Sequence, residues 1–187
     1  MILGIIPARA GSKRIPGKNL KLLGGRPLIE WTIRAAKGSR VLDRFVVATE
    51  DDEIAEVAET CGAEVFRRPA SMATDTASVY DTVFAVLNEI GAEWVVLLHP
   101  TSPFRTAGDI DACVESCIAR SAPSCVSVES TRPVPNGAVY VAYVSWLREH
   151  RNFDGPRTIV HQMPSYRSVD IDTPEDWARA EAIAFTA

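Results

Sequence analysis

The strongest constraint on the fold is a rhythm. Short, almost unbroken apolar runs recur along the chain: ILGIIP from Ile2, RFVVAT from Arg44, AEVF from Ala63, WVVLL from Trp94 and SCVSV from Ser124. A strand that is apolar on both faces needs cover on both faces, which helices packed above and below a parallel sheet supply. The amphipathic stretches between the runs predict those helices over Pro27 to Lys37, Asp52 to Cys61, Ser78 to Ile90, Ala107 to Arg120 and Pro174 to Phe185. The last has a marked start, with Thr173 as N-cap, Pro174 at the first helical position and Asp176 at the third. Beyond Ser130, NGAVYVAYVSWL reads as a strand running into a short helix, and RTIVHQM as a further strand. The expected class is α/β, three layers with a mostly parallel sheet. At 187 residues, without an internal repeat or low-complexity tract, the chain is expected to be a single domain spanning 1–187. Its opening MILGIIPARA reverses the charge order of a signal peptide, and no apolar run nears the roughly 18 residues of a membrane span. A cytoplasmic protein without membrane contact is expected.

In an open sheet of this kind, ligands collect at the carboxyl ends of the strands. Three loops fall there: Ala8 to Asn19 after the first strand, TEDD after RFVVA, and HPTSPFR, His99 to Arg105, after WVVLL. The first is the most unusual. PARAGSKRIPGKNL carries Arg9, Lys13, Arg14 and Lys18, and no Asp or Glu occurs before Glu30, in a chain of net charge −4. Positive charge confined to one loop suits a small anion better than a nucleic acid, which needs an extended basic face. Gly11 and Gly17 have five residues between them and Asn19 follows Lys18, so the loop is not a Walker P-loop; it lacks G-x-G-x-x-G as well. Small residues that admit phosphate oxygens, and cations that neutralise them, still fit a polyphosphate. A merely solvated basic loop accounts for the charge equally well.

SVDID, Ser168 to Asp172, sets Asp170 and Asp172 two apart on an extended segment and therefore on one face. Helix capping accounts for Thr173 to Asp176 but gives this pair no task. Two carboxylates beside phosphate oxygens are what Mg²⁺ prefers; exposed turn acids are the plainer alternative. The four cysteines, Cys61, Cys113, Cys117 and Cys125, form no C-x-x-C pair and have no histidine at zinc spacing. Cys113 and Cys117, four apart on a predicted helix, fit a buried apolar stripe.

Six ordered stretches, IPARAGSKRIPGKNL, VVATEDDEIAEVA, RPASMATDTASVYDTV, LLHPTSPFR, NGAVYV and SVDIDTPED, resemble the cytidylyltransferases that activate acidic sugars. The likeness is greatest to the CMP-sialic acid (N-acylneuraminate) synthetases, with the CMP-Kdo synthetases as relatives, and it covers most of the chain. It implies a Rossmann-like nucleotidyltransferase fold. It also implies a reaction in which an acceptor oxygen attacks the α-phosphorus of CTP and pyrophosphate leaves. By matching position, the resemblance assigns Ala8, Arg9, Ala10, Gly11, Ser12, Lys13, Lys18 and Asn19 to the loop that wraps the phosphates, with Arg9, Lys13 and Lys18 as catalytic cations. Arg68 and Ser78 match positions near the cytosine. Asp170 and Asp172 match ligands of Mg²⁺, with Mn²⁺ as an alternative, and His99, Thr101, Ser102, Arg105 and Asn136 fall to the acceptor. Plainer readings stand beside these: Arg68 as surface, Ser78 as a helix cap, Asp51 and Asp52 as complements to a helix N-terminus.

Two departures from the family pattern bear on the acceptor. The Gln that opens the family's Q-P-T-S-P is His99 here, a residue able to donate a hydrogen bond to an acceptor or to titrate near neutral pH, and equally well a plain loop histidine. Only Thr131 to Pro135 separate SVES from NGAVYV, where sialate enzymes carry a long excursion used for dimer contacts and for the sugar acid. The nucleotide half is thus expected to be whole and the acceptor half trimmed. Two acceptors remain, a sialic-acid-like sugar acid and a small acid such as a phosphonate, with Arg132, Arg157, His161 and Arg167 as the cations left to meet them. The homodimer that the resemblance implies loses most of its usual contact. The alternative readings are a catalytically inactive nucleotide-binding module of the same fold and, weakest for want of an extended basic face, a nucleic-acid-binding protein.

Overall fold

The computed structural model describes residues 1–73 and 77–185. Its elements are, in chain order, β1 Ile2–Pro7, a small hairpin of β2 Leu22–Leu23 and β3 Arg26–Pro27, α1 Leu28–Gly38, β4 Arg44–Thr49, α2 Asp52–Thr60, β5 Glu64–Arg67, α3 Val79–Ile90 and β6 Trp94–Leu97. There follow α4 Ala107–Ala119, β7 Ser124–Glu129, β8 Arg132–Tyr143, α5 Val144–His150, β9 Ile159–Met163 and α6 Pro174–Ala184. Seven strands form one sheet in the order β5-β4-β1-β6-β8-β7-β9. Neighbours are parallel except at β8, which runs antiparallel to both β6 and β7. The sheet is therefore mostly parallel, but SCVSV does not sit among parallel neighbours on both sides as its apolar run suggested. Ser130 and Thr131 turn β7 straight into β8, with Glu129 opposite Arg132. A link that short cannot make the crossover that parallel strands need.

Period-two alternation along the strands divides the core. Leu3, Ile5, Val46, Val95 and Leu97 face α3 and α5, whereas Ile6, Val47 and Val96 face α1, α2 and α4. Cys113, Cys117 and Cys125 lie fully buried on the second of these faces, and all four thiols are free, in keeping with packing duty. A third cluster joins segments far apart in sequence: Ile15 from the basic loop, Leu23, Leu28, Phe104, Val169 and Ile171, and Trp177 and Ala180 from α6. Because Val169 and Ile171 point into it, Asp170 and Asp172 are left on the open side. Among the described residues no helix is long and apolar enough to cross a membrane.

Candidate active site

The loops at the carboxyl ends of β1, β5 and β6 enclose a cleft of about 460 Å³. Arg9, Ser12, Lys18 and Asn19 line it from the basic loop, Arg68 from just past β5, Ser78 and Thr82 from the start of α3, and His99 and Thr101 from the loop after β6. Gly137 and Tyr140 of β8 form another wall, and Asp170 and Asp172 complete it. The three loops expected to share a rim do converge, although TEDD contributes from behind the lining rather than within it.

Local hydrogen bonds shape the basic loop. Asn19 Nδ2 donates to the Arg9 carbonyl at 2.9 Å, and the Ala10 amide donates to Glu50 Oε1 at 3.0 Å. Ile15 anchors the far arm in the third core cluster. Lys18 then reaches across the cleft, where its Nζ donates to the Ile171 carbonyl at 2.6 Å and meets Asp172 Oδ1 at 3.3 Å. Basic loop and acidic pair thus touch through one side chain, although Lys18 and Asp172 stand 154 positions apart in the chain.

Asp170 stands open to the cleft, but the surrounding walls desolvate its carboxyl and raise it above the ordinary carboxylate range. A Thr101 hydrogen bond and Lys18 oppose that rise, while Asp172 adds to it. Gly137 gives Asp170 its room: its φ is +78°, and a Cβ there would lie 2.9 Å from Ser102 Oγ and 3.3 Å from Asp170 Oδ2. Among the described residues no third carboxylate, histidine or cysteine joins the pair to make a closed metal cage. Two carboxylates with an open, cationic phosphate side are nevertheless the donor set that suits Mg²⁺, which keeps water and phosphate oxygens as its other ligands. The residues present fit that ion.

Several assigned residues lie elsewhere. Ala8 is buried and hands its amide to the Ala48 carbonyl, continuing the β1–β4 pairing. Ala10, Gly11 and Lys13 belong to the loop without lining the cleft. Ser102, Arg105 and Asn136, expected to meet the acceptor, are buried behind the wall. Arg105 Nε donates to the Ala138 carbonyl and Nη1 to Thr32 Oγ1, both at 2.6 Å, and Nη2 donates to the His99 carbonyl, so the guanidinium braces the loop instead of facing a ligand. Burial pulls it down to about 9, which leaves it charged at neutral pH. Ser102 donates to the Asn136 carbonyl at 3.2 Å, and Asn136 Nδ2 donates to Ser168 Oγ at 2.9 Å.

His99 does line the cleft, edge-on to Tyr140 at 5.8 Å between ring centroids. Burial first, and Arg105 second, push its imidazole down to about 4. Of the readings open for His99, titration near neutral pH is the one set aside: the ring is neutral there. The four later cations also stay out of the cleft. Arg167 and His161 are held by Asp109 at 2.6 and 3.1 Å, Arg157 Nη2 donates to the Ser121 carbonyl at 3.0 Å, and Arg132 is exposed at the β7–β8 turn. Ser78 both caps α3, accepting from the Tyr80 amide at 3.2 Å, and lines the cleft. Asp51 caps α2 and Asp52 pairs with Arg67 at 2.9 Å, so their plainer readings hold. Within RPASMATDTASVYDTV, Thr74, Asp75 and Thr76 lie outside the described residues. Sequence reasoning missed Thr82 and Tyr140 in the lining and Glu50 behind it; for Tyr140 the period-two pattern of NGAVYV carried a usable signal.

A cationic loop facing paired acids across the carboxyl-end cleft of a mostly parallel α/β sheet is a setting for a phosphate-bearing ligand. Residues 3–137 match the cytidylyltransferase family. CMP-N,N'-diacetyllegionaminic acid synthase of Legionella pneumophila is 37% identical in an alignment covering 97% of this chain and 95% of that protein. The alignment runs over 221 positions, more than the 187 residues here, so the relative carries segments that this chain lacks. N-acylneuraminate cytidylyltransferase of Escherichia coli is 29% identical over 97% of this chain, which spans about half (52%) of that protein's length. The solved structure of CMP:2-keto-3-deoxy-manno-octonic acid synthetase complexed with CTP superposes with a TM-score of 0.79 at 18% identity, covering 99% of this chain and 98% of the other, a likeness of fold. The chain belongs to the cytidylyltransferase family.

Proposed function

We propose that this chain is a single-domain, Mg²⁺-dependent enzyme that transfers CMP from CTP to a sugar acid and releases pyrophosphate. The observation that carries the proposal is the reach of Lys18 to Asp172 and the Ile171 carbonyl, which sets the basic loop and the acidic pair around one cleft. The relatives favour a sugar acid over a small phosphonate, since legionaminic acid and N-acylneuraminate are what the names of the sequence relatives contain. Retention of Lys18, Asp170 and Asp172 together in the cleft argues against an inactive module. Free thiols throughout the chain accord with a cytoplasmic enzyme.

In this reading Arg9 and Lys18 neutralise the triphosphate, and the loop backbone around Ser12 follows its oxygens. Asp170 and Asp172 hold Mg²⁺, which supplies positive charge to the phosphates. Neutral His99 and Thr101 orient the acceptor by hydrogen bonds. Tyr140, whose hydroxyl burial holds above its ordinary value, remains protonated beside them. No side chain needs to become a covalent nucleophile, because positioning and fixed charge lower the barrier.

Pyrophosphate release with CTP, ATP, GTP or UTP, each offered sialic, legionaminic and octulosonic acids and small phosphonates, tests the proposal. Release is expected with CTP and one sugar acid, abolished by EDTA, restored by Mg²⁺ or Mn²⁺, and lowered roughly a hundredfold or more in Asp170→Asn. Turnover of a phosphonate alone would replace the acceptor. Tight CTP binding without turnover of any acid would return the inactive module.

A further inference from the structure

One acid stands behind the phosphate loop without a part in the reaction so far. The peptide joining Arg9 to Ala10 is gripped at both ends, its carbonyl by Asn19 Nδ2 at 2.9 Å and its amide by Glu50 Oε1 at 3.0 Å. The other Glu50 oxygen, Oε2, accepts from Arg68 Nε at 3.0 Å and Nη2 at 2.9 Å, and Arg68 Nη1 donates to Thr82 Oγ1 at 2.9 Å. The pair is sheltered, with the Glu50 side chain 15% and the Arg68 side chain 5% exposed. A peptide plane held at its carbonyl and its amide has little rotational freedom left. Its orientation sets where the Arg9 side chain departs and where the backbone runs through Gly11 and Ser12.

We propose that Glu50 is a positioning residue for the nucleotide: one oxygen fixes the Arg9–Ala10 peptide and the other pins Arg68 into the cleft wall, so that loop and wall are set before CTP arrives. The inference rests on the CTP reading above. An acid beside a triphosphate site is unfavourable by charge alone. Arg68 offsets that charge at close range, and the acceptor the Ala10 amide needs can then stay in place. Removal of the carboxylate charge leaves the buried guanidinium without its partner and frees the peptide to turn. The two effects have opposite signs. Loss of an acid by itself tightens the binding of a polyanion, whereas loss of preset geometry weakens it.

The test measures CTP affinity by calorimetry, and the KM values for CTP and for the acceptor, in the wild type, Glu50→Gln and Glu50→Ala. CTP is expected to bind roughly tenfold to a hundredfold more weakly in both variants, the effect of losing a hydrogen bond to a charged group. KM for CTP should rise with it while KM for the acceptor keeps its wild-type value, a split that general loosening would not give. Glu64→Gln, which breaks an exposed pair with Arg44 elsewhere on the sheet, serves as control and should change neither. Amide exchange in the wild type gives a second reading independent of any variant's folding: the Ala10 amide, on an exposed residue, should exchange slowly without CTP and stay slow with it. Glu50 variants that bind CTP as tightly as wild type, or more tightly, would overturn the inference, as would free exchange at Ala10. A wild type that binds no CTP at all would instead overturn the CTP reading, with Ala10 still reporting whether the clamp exists.

Discussion

Gly137 decides where Asp170 can stand. A methyl group on it would press on Ser102 Oγ at 2.9 Å and on Asp170 Oδ2 at 3.3 Å, from a backbone at φ +78° that side chains rarely adopt. Gly137→Ala is therefore expected to cost about 1–2 kcal/mol of stability from the left-handed backbone alone. Displacement of the Asp170 carboxylate should lower kcat roughly a hundredfold. CTP affinity should change far less, because the atoms nearest an added methyl are those of Ser102 and Asp170, not of Arg9 or Arg68; steady-state kinetics and chemical denaturation would separate the two effects. At this scale the sequence was legible where a charge had no local task. The basic loop stood out by its charge within an acidic chain, and Asp170 with Asp172 because helix capping gave them no task. Ser102, Arg105 and Asn136 could not be placed, since a polar residue with all its bonds inside the wall and one facing a ligand look alike in one dimension. Glu50 was placed on the rim only as part of TEDD, and standing beside two further acids that belong to a helix start it gave no signal of its own.

Elements were the most legible scale, and the places where the reading slipped have a common cause. Helix limits fell within a residue or two of those expected, as capping allows. The antiparallel run of β8 and its start at Arg132 were missed. Strand direction is set by the connection rather than by apolar content, and prolines such as Pro133 and Pro135 are unusual inside a sheet. They are tolerated because β6 pairs with β8 only from Tyr140 onward, which leaves the proline-bearing arm with β7 alone as its neighbour. At the outer edge, β9 pairs among the described residues with β7 alone, and Asp109 at the start of α4 fastens this edge by accepting from His161 of β9 at 3.1 Å and from Arg167 beyond it at 2.6 Å. Desolvation alone would raise the Asp109 carboxyl; hydrogen bonds from His161 and Thr106 and the Arg167 charge outweigh it and hold it below the ordinary value. The unfolded chain then binds the proton more readily, so this contribution is complete above the unfolded value and fades as pH falls through the folded one. Asp109→Asn should cost about 2–3 kcal/mol at neutral pH. The deficit should shrink in acid, where the wild type loses the same charge; urea unfolding at the two pH values measures it.

The whole molecule takes part in the cleft. Its lining comes from the loops after β1, β5 and β6, the entry to α3, the irregular arm of β8 and the segment before α6, so a ligand held there would tie the first twenty residues to the last twenty. The mean charge concealed this arrangement, because a chain that is acidic overall places its cations where Lys18 can meet Asp172. Binding that favours the folded chain over the unfolded one stabilises it by about 2.7 kcal/mol at a hundredfold excess of ligand over Kd. For a chain of this size that corresponds to roughly 5–10 °C in Tm. CTP with Mg²⁺ should produce such a rise in thermal unfolding, and ATP should produce little. EDTA, or Asp170→Asn combined with Asp172→Asn, should remove the metal-dependent part and leave the smaller share that the basic loop contributes by itself. A shift that is the same with EDTA as with Mg²⁺ would take the metal away from the acidic pair. Asp170 and Asp172 would then be partners of Lys18 alone, holding the loop closed against the C-terminal segment.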